Sequence, residues 1–408
     1  MNAPLNAAAT LPAGDERRAR PEAAVFGEWN TSNLGDRGIH DGVLRFFSEC
    51  GWDARSYGLS TLTPVPADAA NRPASAPVPG RVVGVLGRVP PLKRVLRGAR
   101  QRVRIAALSP RLRHSQAIVV GGGALLSDAN LHFPQSLVRL ARAARRLGKP
   151  LVCLGCSVEG EWSAPGSRMI GEFLDACEVI AVRDHATAGR LAAVIGAPPP
   201  VFGDFCLWES RIMEGGGSPQ ERHSYAINVS QLPGPWAGAQ EHYEDALVAL
   251  ISRLARRAQG RRAGIRIFTT GTAEDARAAQ RVFGRIDAVG AELHLPGNLA
   301  QLSSMLRTSA VAVSTRLHAA ILALAEQTPV VGFSAGPKLR NYFATLGIRR
   351  CAYDVADQAQ LMDWLAQADY GELYSEQRRA LVHSPIWADR ARVRRSLELL
   401  AGAETTCR

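Results

Sequence analysis

Two kinds of segment alternate along the 408-residue chain. Short apolar runs that end in glycine or aspartate are followed by longer stretches with apolar residues at helical spacing. A parallel sheet covered by helices produces this alternation, because an amphipathic crossover helix joins each buried strand to the next. We therefore predict an α/β protein with doubly wound, Rossmann-like sheets.

The alternation falls into two series, which a polar, glycine-rich break at 209–224 separates. The first series predicts helices at 137–148 and 166–177 and strands at 117–123, 151–158 and 178–184. The second series predicts a helix at 241–258 and strands at 225–230, 264–270, 291–297, 310–314 and 329–334. Each series is long enough for one domain, so we predict two Rossmann-like domains in tandem.

The predicted domain boundaries follow from these two series. They are a disordered leader at 1–21, an N-terminal domain at 22–210, a linker at 211–224, a C-terminal domain at 225–370 and a C-terminal helical segment at 371–408. Within the N-terminal domain, residues 59–114 are predicted to form an excursion from the sheet. Its first part, 59–80, is rich in proline and alanine and predicts a flexible segment.

The net charge of +12 is concentrated in one window, because residues 81–114 contain ten Arg or Lys residues and no Asp or Glu. A solvated face, a surface for anionic lipid or lipid-linked substrate, and a nucleic-acid surface are the three interpretations. A basic amphipathic helix is indicated by the spacing of Leu92, Val95, Leu96, Ala99 and Val103. No aromatic residue lies between them, so we expect no nucleic-acid partner, and a solvated face or peripheral contact with an anionic membrane stays open.

Apolar segments and cysteines bear on the location of the protein. No apolar stretch approaches the ~20 residues of a membrane-spanning helix, and the first residues do not have the pattern of a signal peptide. Seven scattered cysteines do not form a disulfide framework, and we interpret Cys153 and Cys156 as a buried strand end rather than a redox or metal pair. We therefore expect a cytoplasmic protein. We also expect it to be bacterial, since 46 arginines against three lysines are typical of a GC-rich genome.

The loops after the strands of the first domain contain candidate binding residues, because open parallel sheets bind ligands at the carboxyl ends of their strands. Asn33, Gly35 and Asp36 precede a helix and offer backbone N–H groups to an anionic or polyhydroxyl ligand; the alternative is an Asn/Gly turn with an Asp helix cap. Gly122 and Gly123 follow an apolar strand and permit close approach of a ligand. They are not part of a dinucleotide fingerprint, whose last glycine is replaced by Leu126.

Charged residues follow two further strands of the first domain. Arg183 ends the strand at 178–184, and Asp204 ends the apolar stretch that begins at Val201. An arginine at a strand end can bind a carboxylate or phosphate bidentately, so Arg183 is a candidate ligand for an anionic substrate. A structural Arg–Asp salt bridge is an equally consistent interpretation.

The sharpest group of candidates lies in the second domain. Arg316 and His318 occupy the first turn of a helix after the strand at 310–314, and Lys338 follows the next strand. A helix N-terminus disfavours the imidazolium ion, so His318 is expected to be neutral and able to accept a proton. With Arg316 and Lys338 as fixed positive charges, the three residues predict an anion site that contains an acid–base group.

The order and spacing of these motifs resemble those of the polysaccharide pyruvyl transferases. The shared motifs are NxGD at 33–36, GGGxLxSD at 121–128, GKPxVxLGxSV at 148–158, VRD at 182–184, GD at 203–204 and STRLHAxxxAxxxxTPVVxF…K at 314–338. The resemblance spans residues 25–350, and the basic segment within 59–114 departs from the pattern.

The resemblance implies a GT-B-like pair of domains and transfer of a pyruvyl group, as a ketal, from phosphoenolpyruvate to sugar hydroxyls of an exopolysaccharide or cell-envelope glycan precursor. His318 and Arg316 are the implied catalytic residues, with Lys338 and Arg183 as ligands of the donor. No cofactor or metal is expected beyond phosphoenolpyruvate as co-substrate, and the glycan acceptor is expected to be lipid-linked at the inner membrane. The alternatives are a GT-B nucleotide-sugar glycosyltransferase and a non-enzymatic glycan or lipid-surface binder.

Overall fold

The computed structural model describes residues 20–29, 31–72, 90–128, 131–214, 222, 224–232, 234–258, 264–286 and 290–403. Nearly all of the predicted leader, residues 73–89, Cys407 and most of the predicted linker lie outside this part of the chain. The described residues form two parallel sheets with helices on both sides, which confirms the predicted α/β class with tandem Rossmann-like domains.

The N-terminal domain is built on a five-stranded parallel sheet with the order β2-β1-β3-β4-β5. Its strands are β1 (Glu22–Gly27), β2 (Asp53–Gly58), β3 (Ala117–Ser127), β4 (Leu151–Glu159) and β5 (Cys177–Val182). Its helices are α1 (Leu34–Glu49), α2 (Pro90–His114), α3 (His132–Leu147), α4 (Ala164–Leu174) and α5 (His185–Ile195). The strand order reverses between β1 and β3, and such a switch point is where open α/β sheets bind ligands.

The C-terminal domain contains a six-stranded parallel sheet with the order β11-β10-β9-β6-β7-β8. Its strands are β6 (Ser224–Asn228), β7 (Ile265–Phe268), β8 (Ala291–His294), β9 (Ser309–Ser314), β10 (Val330–Phe333) and β11 (Ala352–Tyr353). The helices from the domain junction onward are α6 (Glu209–Glu214), α7 (Gln240–Ala258), α8 (Ala273–Gly284), α9 (Leu299–Arg307), α10 (Leu317–Ala325), α11 (Pro337–Thr345), α12 (Gln358–Gln367), α13 (Tyr370–Val382) and α14 (Ile386–Ala403).

The segment predicted as an excursion is helical over its basic part. Residues 90–114 form α2, which is the crossover helix between β2 and β3, and its residues Ile105, Leu108 and Leu112 are buried in the core. Val103, which we placed on the apolar face, is 70% exposed. Val103 is therefore not part of the buried face, which includes Ile105, Leu108 and Leu112.

The C-terminal helix α14 returns to the N-terminal domain. Arg390 is only 4% exposed and donates hydrogen bonds to the carbonyl oxygens of Phe202, at 2.8 Å, and Leu207, at 2.6 Å. Asp389 accepts a hydrogen bond from the backbone N–H of Val201 at 2.8 Å. The last part of the predicted C-terminal helical segment therefore packs on the first domain, where it contacts residues 201–207.

Helix α1 carries a fully buried histidine. His40 has no exposed surface, its ring centroid lies 5.4 Å from that of Trp29, and neither of its ring nitrogens has a hydrogen-bond partner among the described residues. Burial lowers the pKa of His40 from its ordinary 6.5 to about 4. This histidine is therefore neutral in the folded protein at neutral pH.

We expect His40 to make the protein less stable as the pH falls. The unfolded chain takes up a proton on this residue near pH 6.5, whereas the folded chain does so only near pH 4. The contribution of neutral His40 to the free energy of unfolding is therefore complete above pH 6.5 and decreases by ~3 kcal/mol as the pH falls to about 4. His40→Leu should flatten that part of a pH series of denaturant unfolding curves, whereas His114→Gln, at an exposed position of α2, should not. A wild-type slope in His40→Leu would contradict the assignment.

Candidate active site

The two domains touch where α1 meets α10. Leu34 donates its backbone N–H to the carbonyl oxygen of Thr270 at 2.6 Å, so the first turn of α1 docks on the loop after β7. A β-carbon added at Gly35 would lie 2.4 Å from Cβ and 2.6 Å from Nδ1 of His318. Glycine at this position therefore allows the candidate acid–base residue to lie directly against α1.

The N-terminus of α1 is capped by the protein itself. Asn33 accepts a hydrogen bond from the backbone N–H of Gly35 at 3.0 Å, so the helix cap is Asn33 and not Asp36. Asp36 is instead close enough to His318, Asp204 and Lys338 for their charges to act on it. Burial raises the pKa of Asp36, and the neighbouring positive charges act in the opposite direction.

His318 faces a buried carboxylate of the first domain. Its Nε2 lies 3.7 Å from Oδ2 of Asp204, and both atoms are buried without a hydrogen-bond partner in the described part of the chain. Burial opposes ionisation of Asp204, but His318, Arg183 and the backbone N–H of Cys206 outweigh it and lower the pKa of Asp204 to about 2. An ionised carboxylate of the first domain therefore faces the imidazole of the second domain.

Arg183 lies beneath this pair rather than at the surface. Its side chain is 5% exposed, with Nε 3.3 Å from Oδ2 of Asp184 and Nη1 3.9 Å from Oδ2 of Asp204. The structure therefore gives Arg183 the salt-bridge arrangement that the sequence left open. In this position it supports the charge of Asp204.

The loop that carries Asp204 is held by two residues that the sequence analysis missed. The backbone N–H of Asp204 donates to the hydroxyl of Tyr342 at 3.2 Å, and Arg390 donates to the carbonyl oxygen of Asp204. Tyr342 belongs to α11 of the second domain and Arg390 to α14. Two helices, α11 and α14, therefore hold the backbone of the residue whose carboxylate faces His318.

Arg316 is held within the second domain. Its Nη2 lies 2.6 Å from Oδ1 of Asp275 and 3.2 Å from the carbonyl oxygen of Gln231, while Nε donates to Oδ2 of Asp275 at 3.2 Å. Asp275 has no exposed surface, whereas the Arg316 side chain is 36% exposed. These bonds fix the orientation of the guanidinium group, and Nη1 takes part in none of them.

Lys338 pairs with a carboxylate of the other domain. Its Nζ lies 2.5 Å from Oε1 of Glu159, and both side chains are about half exposed, at 48% and 46%. Glu159 ends β4, so this ion pair joins the carboxyl edge of the first sheet to the start of α11. A solvent-exposed ion pair contributes little stability, so an anion can compete for the lysine.

A cavity of about 600 Å³ opens beside this group, at the carboxyl ends of β1, β3 and β4. Gly122 and Gly123 line it with positive φ angles of 73° and 77°. A β-carbon at Gly122 would lie 2.1 Å from Cγ2 of Ile39, so glycine is needed for β3 to pass α1. The predicted glycine motif therefore shapes the wall of the cavity.

The structure brings together one part of the predicted site. Asp36, Asp204, His318 and Lys338 converge at the contact between the domains. Glu159 was missed, although an acid directly after a predicted strand is a signal that could have identified it. Tyr342, Asp275 and Arg390 lie within helices and carried no such signal. In the described part of the chain, no group of three or more His, Cys, Asp or Glu side chains is arranged as a metal site.

Two Rossmann-like domains that meet at a cleft define the GT-B fold, and solved structures of this fold are similar to the chain. A UDP-GlcNAc 2-epimerase from Neisseria meningitidis bound to UDP-GlcNAc is 11% identical, with a TM-score of 0.57 over 92% of this chain and 99% of that one. A trehalose-6-phosphate synthase gives the same values. A UDP-GlcNAc 2-epimerase from Methanocaldococcus jannaschii is 10% identical, with a TM-score of 0.52 over 93% and 99%. These likenesses confirm the predicted fold.

The family is shown by the sequence itself. The family model described as polysaccharide pyruvyl transferase matches residues 33–337, which is most of the chain. The chain therefore belongs to the polysaccharide pyruvyl transferase family, a family of transferases, as the motifs indicated. No curated protein matches the chain.

Proposed function

We propose that the protein transfers a pyruvyl group from phosphoenolpyruvate to two hydroxyls of a sugar in an exopolysaccharide or cell-surface glycan precursor. The observation that carries this proposal is the pairing of His318 with the ionised Asp204 where the two domains meet. Family membership supports the reaction class. The positive groups of Lys338 and Arg316, in the second domain, suit a donor that carries a carboxylate and a phosphate.

The chemistry requires a proton donor beside the donor substrate. His318 acts first as the acid, because the carboxylate of Asp204 that faces it opposes the effect of the helix N-terminus on its charged form. It delivers a proton to the methylene carbon of phosphoenolpyruvate, and the first sugar hydroxyl attacks the resulting cationic C2. The C–O bond to phosphate then breaks, and the second hydroxyl attacks the same carbon to close the ketal. One hydroxyl proton returns to His318 and replaces the proton that it delivered to the methylene carbon. The other hydroxyl proton leaves with inorganic phosphate. Asp204 holds the imidazole in position during both transfers.

Release of inorganic phosphate tests this proposal directly. The protein is incubated with phosphoenolpyruvate and membrane-derived lipid-linked oligosaccharides, and phosphate and the mass of the glycan are measured. We expect phosphate release that depends on the acceptor, with a ketal in the product. Saturable binding of UDP without phosphate release would instead support a nucleotide-sugar glycosyltransferase. A glycan complex unaffected by loss of His318 would support a non-enzymatic binder.

Lys338→Met is expected to act on the donor. Loss of a charge-assisted contact of ~1.5–3 kcal/mol should raise the KM for phosphoenolpyruvate roughly ten- to hundredfold, with little change in the KM for the acceptor. Glu159→Gln is the matched comparison, because it removes the partner that competes for the lysine and should not raise the KM for the donor. Steady-state kinetics in both substrates decide this, and an effect of Lys338→Met on the acceptor alone would place the donor elsewhere.

The basic window at 81–114 is proposed to bring the protein to an anionic membrane where its lipid-linked acceptor lies. Within the described residues, no helix is both long and apolar enough to cross a membrane. We expect co-sedimentation with anionic vesicles that decreases as salt rises, and that weakens when Arg94, Arg97, Arg100 and Arg104 become Gln, since each basic residue near the surface contributes ~1 kcal/mol or less. Equal pelleting with neutral vesicles, or none with anionic ones, would leave the window as a solvated face.

A further inference from the structure

The cavity beside the candidate active site has an acidic wall. Its described lining residues include five carboxylates and no lysine or arginine; the carboxylates are Glu28, Asp36, Asp128, Glu159 and Glu161. Glu159 is paired with Lys338 and Glu161 with Arg190, which leaves three carboxylates of the wall outside any ion pair of the described residues: Glu28, Asp36 and Asp128. Phosphoenolpyruvate is itself an anion, and these three carboxylates would repel it. The donor therefore suits the side of Lys338 and Arg316, and the cavity suits a different molecule.

Two residues of the cavity wall also carry buried polar atoms that have no hydrogen-bond partner in the described part of the chain. Trp29 is 2% exposed and lines the cavity, and its Nε1 is buried without a hydrogen-bond partner. Oδ1 of Asp128 is likewise buried and unpaired. Buried polar atoms of this kind cost free energy unless a ligand or water satisfies them. They are a second indication, independent of the charge, that this cavity binds a polar ligand.

Much of the remaining wall consists of apolar side chains and glycines. Phe133, Ile39 and Leu125 contribute apolar surface, and the two glycines of β3 expose backbone. Carboxylates accept hydrogen bonds from hydroxyl groups, and aromatic rings contact the C–H faces of sugar rings. These are the groups that a sugar with several free hydroxyls can satisfy at once.

We propose, on the basis of the proposed function, that this cavity binds the acceptor sugar and selects by charge. It accepts a neutral sugar or an amino sugar with a free ammonium group, and it rejects a uronic acid or a phosphorylated sugar, because the wall and such a sugar carry the same charge.

The position of the cavity agrees with this assignment. Asp36 lines the cavity and also lies within the electrostatic reach of His318, Asp204 and Lys338. Glu159 lines it as well and contacts Lys338 directly. A hydroxyl of a sugar in the cavity would therefore lie next to both the acid–base pair and the donor side.

Binding to the donor-free protein tests the selection independently of catalysis. Methyl glycosides in the gluco, galacto and manno series, each as neutral, 2-amino-2-deoxy and uronic acid forms, are titrated and followed by NMR saturation transfer and calorimetry. For each sugar series in which a glycoside binds, we expect the neutral and amino forms to bind. The uronic acid should bind at least roughly tenfold more weakly than the neutral form of the same series.

Variants locate the effect. Glu28→Gln combined with Asp128→Asn should reduce the discrimination against the uronic acid roughly tenfold or abolish glycoside binding. Glu241→Gln combined with Glu372→Gln, a matched loss of two exposed carboxylates that do not line the cavity, should do neither. Circular dichroism confirms that each pair is folded, and the comparison of ligands on the unmodified protein stands whether or not the first pair folds.

Three results would overturn the proposal. They are equal binding of the uronic acid and neutral forms, no binding of any glycoside, and saturable binding of Mg²⁺ alone that the cavity variants abolish. Selective glycoside binding without phosphate release from phosphoenolpyruvate would support the cavity assignment and count only against the proposed donor, so the two failures are distinguishable.

Discussion

Replacing His318 by alanine is expected to abolish transfer while the protein stays folded. Loss of a general acid–base group typically costs 10²- to 10⁴-fold in rate, roughly 3–5 kcal/mol of transition-state stabilisation. The structural cost is smaller, since the His318 side chain lies at the domain contact and is 16% exposed.

His318→Gln and a distant histidine provide the controls. Glutamine keeps a polar group that can donate to Asp204 but cannot transfer a proton, so this variant should be folded and as inactive as His318→Ala. His242→Ala, at an exposed position of α7, should retain full activity. Phosphate release and thermal unfolding are measured on the same preparations. Substantial turnover by a folded His318→Ala protein would remove this residue from the mechanism.

Gly35→Ala is expected to inactivate the protein although it removes no side chain of the site. The added methyl group would lie 2.4 Å from Cβ of His318, an atom close to the backbone that cannot rotate away. Either α1 or α10 must move, so His318 would lose its position against Asp204. Overpacking of this kind costs ~1–3 kcal/mol, which exceeds the ~0.5–1 kcal/mol that alanine gains over glycine in a helix.

Gly189→Ala separates the clash from the helix effect. Gly189 lies in α5, and an added β-carbon there meets no atom within 4 Å. This control should be as active as the unmodified protein and equally or slightly more stable. Gly35→Ala should show a lower unfolding midpoint and a decrease in kcat. Expressed as a free energy, the decrease in kcat should be larger than the loss of stability. Normal kcat in Gly35→Ala would show that the contact between α1 and α10 does not position the histidine.

The alternation of apolar and polar segments was sufficient to predict the fold class. Parallel strands are buried on both faces and read as continuous apolar runs, so a short window reveals them; the strand predicted at 117–123 is the start of β3, and that at 151–158 is β4. The spacing of apolar residues in the basic segment predicted a helix there, but not that this helix is the crossover α2, because the core residues Ile105, Leu108 and Leu112 lie beyond the residues that indicated it.

The candidate site, like the fold, could be predicted from the sequence only in part. The sequence alone determined that Asp204, His318 and Lys338 follow apolar runs and that Asp36 lies near the start of a helix, because these are local features. Only the tertiary structure decided which of them meet. His318 reaches Asp204, and Lys338 reaches Glu159, because the two domains close on each other through α1 and α10.

The same packing gave some predicted residues different surroundings. Arg183 is buried between two carboxylates, and Arg316 is held by Asp275, although the sequence offered both to an anionic substrate. Arg390 holds the loop of Asp204 from a helix near the other end of the chain. Hydrophobic periodicity is a short-range property that one segment carries by itself, whereas an ion pair between distant residues exists only after the domains have packed.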